Sequence, residues 1–141
     1  MTLDPRQITP RIYQGGWILT QDIPDLVRLG VTHILNLDQP YPEPLPFIKA
    51  NITVHNVMIL DACLMTPQRV REAIEIIDDS LSSPDHKIYI HCIEGVSRSP
   101  TITWLYLIHT GLSPDEAIAK IQPNPLLYNK IIVHKVLANR L

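Results

Sequence analysis

The residues of this chain best suited to chemistry lie in the run "HCIEGVSRSP", where five residues separate Cys92 from Arg98. The apolar run "KIYI" (87–90) precedes it, and the longer apolar run "TITWLYLI" (101–108) follows it. The first run predicts a buried strand and the second a buried helix. The pattern therefore places a thiol and a guanidinium at the two ends of a short turn between a strand and a helix.

A turn of this kind is suited to binding phosphate, because its backbone N–H groups and the N-terminus of the following helix point toward a bound dianion. Arg98 adds a planar fork that holds two phosphate oxygens at once, and Gly95 permits the close approach of backbone to ligand. In this positive potential the thiolate of Cys92 is stabilised and nucleophilic, and Ser99 is placed to hydrogen-bond the sulfur. The predicted phosphate cradle comprises Ile93, Glu94, Gly95, Val96, Ser97 and Arg98.

The composition predicts one ordinary domain over residues 1–141, since the chain has 141 residues of which 45% are hydrophobic. A formal charge of −2 without a run of Lys or Arg argues against a nucleic acid or an anionic membrane as partner. The N-terminus, "MTLDPRQITP", lacks a signal-peptide core, and no apolar run approaches the ~18 residues of a membrane span. We therefore expect two reduced cysteines in a cytoplasmic protein, and a monomer.

Strand-length apolar segments alternate with amphipathic segments of helix length, which is typical of an α/β fold. We predict a mostly parallel sheet of four to five strands with helices on both faces. The strand candidates are Arg11 to Gln14, His33 to Leu37, Ile52 to Met58 and Lys87 to His91.

Capping signals predict the helix ends. Thr66 followed by Pro67 begins a helix that should run to about Ser82. A second helix should run from near Arg98 to Gly111, a third should begin at the capping box Ser113-Pro114-Asp115-Glu116, and a last one should run from Asn124-Pro125 to Ala138. The segment "DQPYPEPLPF" (38–47) has a proline at every second position from 40 to 46, which predicts a stiff surface connection without regular helix.

The run "HCIEGVSRSPT" resembles the signature loop of the cysteine-dependent protein tyrosine phosphatases, and it is most similar to the dual-specificity branch. The segments "ITPRIYQGG", "HILNL" and "PNP" extend the resemblance across nearly the whole chain, as does Asp61, which lies 31 residues before Cys92. Gln14 is a departure, because an apolar residue usually stands at this position.

The resemblance implies a phosphatase fold and a two-step reaction without metal or cofactor. Cys92 attacks the phosphorus to form a cysteinyl-phosphate, while Asp61 protonates the leaving oxygen. Water then hydrolyses this intermediate, with Asp61 as the base and Arg98 neutralising the charge of the phosphate. His91 supports the loop and orients Cys92.

Each assignment has a structural alternative. Cys92 could be an inert buried thiol, and His91 a core histidine at the end of a strand. Asp61 could be an ordinary loop aspartate, with Asp38 as a competing acid on another loop that follows a strand. Cys63 could form a reversible disulfide with Cys92, although a plain loop thiol is the simpler interpretation.

No lysine or arginine stands between Cys92 and Arg98, and Glu94 would repel additional phosphates. We therefore expect a phosphorylated protein as substrate, phosphotyrosine first, with phosphoserine and phosphothreonine as further candidates. The alternatives are a lipid, nucleotide or phosphoglucan substrate, or a phosphate-binding pseudo-enzyme. The remaining histidines show no mutual spacing that indicates a site; they are His33, His55, His86, His109 and His134.

Overall fold

Five short strands form one sheet in the order β1-β2-β5-β3-β4. The computed structural model describes residues 3–59, 65–93 and 98–121. The strands are β1 (Arg6–Thr9), β2 (Ile12–Gly15), β3 (His33–Asn36), β4 (Thr53–Asn56) and β5 (Ile88–His91). The helices are α1 (Ile23–Leu29), α2 (Leu45–Lys49), α3 (Pro67–Ser80), α4 (Arg98–His109) and α5 (Pro114–Ile121). The predicted α/β fold with a mostly parallel sheet is confirmed.

The central strand of the sheet is β5, which pairs in parallel with β2 on one side and with β3 on the other. Ile88 lies opposite both Ile12 and His33, so the three strands are in register at their starts. Strand β4 continues the parallel sheet beyond β3, whereas β1 closes the other edge as an antiparallel partner of β2. The carboxyl ends of β2, β3 and β5 therefore meet at one edge of the sheet, where open α/β folds bind their ligands.

Alternating side chains of the strands enter two cores, one on each face of the sheet. Leu35 and Ile90 pack against α3, α4 and α5, whereas Ile34 and Tyr89 pack against α1 and α2. Since each of these four side chains is fully buried, helices cover both faces of the central strands. No helix in the described ranges is long and apolar enough to cross a membrane.

The predicted capping residues make the expected bonds. The Thr66 side chain accepts a hydrogen bond from the backbone N–H of Arg69 at 3.2 Å and so begins α3. Ser113 and Glu116 form the reciprocal bonds of a capping box at 2.9 and 3.1 Å. Gly111 adopts a φ of 113° just after α4, which ends this helix at the predicted place.

Four details differ from the sequence prediction. The antiparallel strand β1 and the short helix α1 had not been predicted, and α3 ends at Ser80 instead of about Ser82. The segment 38–47 was wrongly assigned as free of helix, because α2 begins within it at Leu45. Pro46 lies in the first turn of α2, where a missing N–H costs no helical hydrogen bond. The predicted last helix, Asn124 to Ala138, lies outside the described residues.

Gln14 departs from the family pattern at a buried position of β2. Its side chain is fully buried, and neither of its amide atoms has a hydrogen-bond partner in the part of the chain that the structure describes. A buried amide without a partner costs stability, so this residue is a local weak point of the sheet.

Candidate active site

The central strand β5 delivers Cys92 to the carboxyl edge of the sheet, directly after His91. The cysteine is 2% exposed, and its Sγ lies 3.6 Å from Oγ of Ser99 in the first turn of α4. Ser99 is itself fully buried. The predicted contact between the thiol and a hydroxyl at the start of the helix is therefore present. Residues 94–97, which hold Glu94, Gly95, Val96 and Ser97 of the predicted cradle, lie outside the described residues.

Arg98 begins α4 and ties together two further segments of the carboxyl edge. Its Nη1 lies 3.2 Å from Oδ1 of Asp38, in the loop after β3, and 2.6 Å from the carbonyl oxygen of Ile59, in the segment after β4. The side chains of Arg98 and Asp38 are 14% and 9% exposed, so the ion pair is largely shielded from solvent. The predicted acid Asp61, two positions beyond Ile59 in the sequence, lies outside the described residues. Cys63 lies outside them as well.

His91 is fully buried and contacts both its own loop and a neighbouring one. Its Nδ1 lies 3.1 Å from the carbonyl oxygen of Cys92, and its Nε2 lies 2.5 Å from the hydroxyl of Tyr41. The pKa of His91 is lowered to about 4, chiefly by burial and to a smaller degree by Arg98, against the opposing effects of the Cys92 carbonyl and Asp38. The imidazole is therefore neutral: Nδ1–H donates to Cys92, and Nε2 accepts the proton of Tyr41.

Tyr41 is the first of two residues at the site whose contacts with the loop after β5 had not been predicted from the sequence. Its ring packs against Trp17, with centroids 4.5 Å apart, and against Phe47 at 4.6 Å. Burial raises the pKa of the Tyr41 hydroxyl, which keeps it protonated as a hydrogen-bond donor. Tyr41 thereby joins the proline-rich segment to His91, so that segment supports the site as well as connecting elements.

Trp17, the second missed residue, follows β2 at the same edge. Its backbone N–H donates to the carbonyl oxygen of Ile93 at 2.9 Å, and its ring meets His91 edge-on at 5.6 Å. Trp17, Asp38 and Tyr41 share one signal that was available in the sequence. Each follows a strand of the parallel sheet, at the edge where the sheet topology assembles a site.

A groove of about 510 Å³ lies beside the start of the loop. Its walls are mainly apolar. One of them is formed by Ile93, which is 53% exposed. Asp38 is the one charged residue among the described residues that line it. The lining consists of Trp17, Asp38, Gln39, Pro40, Pro42 and Ile93.

Three of the histidines lie side by side in the sheet region, although their sequence spacing indicates no site. His33 Nδ1 lies 3.2 Å from His55 Nε2, and His33 Nε2 lies 3.3 Å from His86 Nδ1, so three imidazoles stand in a row. Because His33 uses both ring nitrogens toward different neighbours, the row does not converge on one point. Among the described residues, no group of three or more His, Cys, Asp or Glu side chains is arranged to hold a metal ion.

Residues 12–127 match the family model described as dual specificity phosphatase, catalytic domain. Human dual specificity protein phosphatase 9 is 36% identical over 131 residues, covering 85% of this chain and 33% of that protein. The phosphatidylglycerophosphate phosphatase PTPMT1 of Arabidopsis thaliana is 31% identical over 124 residues, covering 82% of this chain and 36% of that protein. The chain thus spans about a third of the length of these two curated relatives.

Among solved structures, the crystal structure of Tk-PTP in the active form superposes with a TM-score of 0.82 at 21% identity, covering 97% of both chains. This likeness concerns the fold, and the sequence matches concern the family. Since the family model covers most of the chain, from the start of β2 to beyond α5, the chain belongs to the dual-specificity branch of the cysteine-dependent protein tyrosine phosphatases.

Proposed function

We propose that residues 1–141 act as a single catalytic domain that hydrolyses phosphate monoesters of proteins, with Cys92 as the nucleophile. The observation that carries the proposal is the placement of the Cys92 sulfur against Ser99, in the first turn of the helix that Arg98 begins. A nucleophile, an anion-binding helix start and a bidentate cation thus meet at one edge of the sheet.

In the first step the sulfur of Cys92 attacks the phosphorus and forms an S–P bond, while the bond from phosphorus to the ester oxygen breaks. Asp61 gives its proton to the departing oxygen, which leaves as an alcohol or a phenol. Arg98 holds two of the phosphoryl oxygens. The bond from Arg98 to Ile59 supports the placement of Asp61, because it ties the guanidinium to the segment that leads to this residue.

In the second step a water molecule attacks the phosphorus, and Asp61, now a carboxylate, accepts a proton from it. The S–P bond breaks, inorganic phosphate leaves, and the electron pair returns to the sulfur as a thiolate. Ser99 assists this departure by donating its hydroxyl hydrogen to the sulfur across the 3.6 Å contact. His91 holds the start of the loop in place by donating a hydrogen bond to the carbonyl oxygen of Cys92.

A phosphorylated side chain, phosphotyrosine first, is the substrate that the groove supports best. Aromatic and proline surfaces from Trp17, Pro40 and Pro42 suit the face of a phenol ring. The relative named dual specificity protein phosphatase 9 supports a protein substrate. Phosphoserine and phosphothreonine are suited to the same chemistry, but their shorter side chains extend less far into the groove.

A lipid phosphate is the second candidate, because the Arabidopsis relative is named a phosphatidylglycerophosphate phosphatase. Against this candidate, the described residues that line the groove include no lysine or arginine, and Asp38 carries a negative charge there. A second phosphate on a lipid headgroup would meet repulsion at this place. We therefore favour the protein substrate over a lipid, nucleotide or phosphoglucan.

The proposal includes a reducing compartment such as the cytoplasm, since a cysteine nucleophile works only as a free thiolate. The proposal also takes the protein to act as a monomer. A pseudo-enzyme that merely binds phosphate is disfavoured, because the chain keeps the nucleophile, the arginine and the acid together.

The test compares a phosphotyrosyl peptide, a phosphoseryl peptide and vesicles containing phosphatidylglycerophosphate, each with and without a chelator. We expect hydrolysis of the phosphotyrosyl peptide, insensitive to the chelator and abolished in Cys92→Ser, with that variant still binding orthovanadate. Preference for the lipid vesicles would overturn the protein assignment and leave the cysteine mechanism intact. Substantial turnover by Cys92→Ser would overturn the mechanism itself.

A further inference from the structure

Arg98 is fixed from one side of its guanidinium. Asp38 Oδ1 and the carbonyl oxygen of Ile59 both contact the same nitrogen, Nη1, at 3.2 and 2.6 Å. Nη1 carries two hydrogens, which these two acceptors engage. The opposite edge, formed by Nε and Nη2, is the edge with two parallel N–H groups that match two oxygens of a phosphate.

Asp38 is in turn fixed by the sheet. Its backbone N–H donates to Oδ1 of Asn36 at 2.9 Å, and Nδ2 of Asn36 donates to the carbonyl oxygen of Gln39 at 2.8 Å. The same Nδ2 reaches Oδ1 of Asn56 on the neighbouring strand at 3.0 Å. Asn36 is the last residue of β3 and is fully buried. The turn that carries Asp38 is therefore clamped on both sides by one buried amide.

We propose that Asp38 is a positioning residue for Arg98: it holds the Nη1 edge so that the Nε–Nη2 edge faces the phosphate. The inference rests on the proposed function in that Arg98 is taken as the phosphate-binding arginine. A guanidinium whose orientation is already fixed loses little freedom when the phosphate binds, and it is aligned before the transition state forms. The sheet thus sets the orientation of the fork through Asn36 and Asp38.

This role differs from that of the general acid. As the counter-ion of a guanidinium, Asp38 must be ionised, whereas a general acid must carry the proton that it gives away. The charge of Asp38 also opposes the arriving dianion, since the carboxylate stands beside the cation that attracts it. Asp38 is therefore expected to favour turnover while contributing little to, or even weakening, the binding of inorganic phosphate.

The experiment measures kcat on an activated aryl phosphate and competitive inhibition by inorganic phosphate for the wild type and for Asp38→Asn. We expect kcat to fall by ~10-fold or more, because a misoriented Arg98 guanidinium no longer matches the phosphoryl oxygens in the transition state. The inhibition constant for phosphate should rise by no more than ~3-fold, because the loss of a negative charge offsets the looser fork. A kcat within 2-fold of wild type overturns the proposal. So does a parallel loss of kcat and phosphate binding with a lower melting temperature, which marks a merely structural role.

A second arm asks whether Asp38 acts through Arg98. In the Arg98→Lys background there is no fork to align, so adding Asp38→Asn should cost less than ~3-fold in kcat. Losses that multiply in the double variant would overturn the proposal, because they would mean that Asp38 acts on its own.

Asp78→Asn is the matched control. This aspartate also contacts a basic side chain, that of His109 at 2.9 Å, but the contact is exposed and joins the far ends of α3 and α4. Its kinetics should match those of the wild type. Because the aryl phosphate reports the chemistry whatever the natural substrate, failure of the protein-substrate assignment on peptides is distinguishable from failure of the role of Asp38.

Discussion

The hydroxyl of Tyr41 lies 2.5 Å from Nε2 of His91, fifty positions later in the chain, and this bond links the proline-rich segment to the strand that carries the cysteine. Since the other nitrogen of His91 holds the carbonyl of Cys92, a single neutral imidazole connects two loops of the site. The conformation of the loop after β5 is thus coupled to a segment remote from it in sequence.

The first prediction concerns this bond. Tyr41→Phe keeps the ring contacts with Trp17 and Phe47 but leaves Nε2 of His91 buried without its donor. We expect a loss of about 1–3 kcal/mol in the free energy of unfolding and a several-fold lower kcat. Urea denaturation and steady-state kinetics measure the two effects.

Tyr106→Phe serves as the control for this prediction. Tyr106 interacts with Asp78 toward the far end of α4, so its loss should lower stability without changing kcat. Equal kinetic effects of the two variants would argue against a specific link from Tyr41 to the loop.

The second prediction identifies the acid. An acid matters most when the leaving oxygen is a poor leaving group, as in a phosphotyrosyl peptide. Asp61→Asn should slow hydrolysis of that peptide by ~10²-fold or more, with a much smaller effect on an activated aryl phosphate. The basic limb of the pH–rate profile should flatten, because that limb reflects loss of the acid's proton.

Asp38→Asn gives the contrast. A residue that aligns Arg98 affects both substrates to a similar degree and leaves the basic limb in place. A selective loss on the peptide in Asp38→Asn, together with normal behaviour of Asp61→Asn, would transfer the role of acid to Asp38.

The third prediction is that the fold loses stability as the pH falls from 7 toward 4. Burial lowers the pKa of His33 and of His55, and for His33 the neighbouring His55 and His86 lower it as well. The pKa of His91 is lowered to about 4, chiefly by burial. A lowered pKa means that the unfolded chain binds more protons below pH 6.5, so the stabilisation is complete above 6.5 and is lost as the pH decreases. For His91 alone the loss by pH 4 is roughly 3 kcal/mol.

The row of three histidines contributes to this loss for a second reason. Each of the two contacts of His33 needs one hydrogen between two nitrogens, so a second hydrogen placed within a contact would break it. Urea denaturation across this pH range should give a shallower pH dependence for His33→Gln than for wild type. The control His109→Gln removes an exposed histidine outside the row and should change the pH dependence less than His33→Gln does.

The fourth prediction concerns the buried amide of Gln14, for which the described residues provide no hydrogen-bond partner. Gln14→Met replaces it with an unbranched apolar side chain of similar size, and we expect the free energy of unfolding to rise by about 1 kcal/mol. Gln7→Met makes the same exchange at an exposed position of β1 and should stay within about 0.5 kcal/mol of wild type. A fall in stability for Gln14→Met would mean that the amide has a partner after all.

The sequence was sufficient for the features that depend on local pattern. The apolar run ending at His91 predicted β5, and the caps at Thr66 and Ser113 predicted the starts of α3 and α5, because each signal acts within a few residues. The contact of Cys92 with Ser99 followed in the same way, because the two residues are only seven positions apart in the sequence.

Contacts between loops were beyond such patterns. The pairing of Asp38 with Arg98 and of Tyr41 with His91 depends on which strands are neighbours, and strand order is set by the whole sheet. The short helix α2 was missed for a different reason. The prolines of the segment 38–47 were counted as helix breakers, although Pro46, in the first turn of α2, removes no helical hydrogen bond.

The parallel pairing of β5 with β2 and β3 also has a consequence for how the chain folds. Ile88 must pair with Ile12 and His33 across long stretches of intervening chain. Parallel pairings of this kind form slowly, because the entropy of loop closure is lost before the stabilising contacts form. The proposed active site consists of residues that follow these three strands. Enzymatic activity should therefore appear late during refolding, after the secondary structure has formed, and its recovery reports the closure of the central three strands.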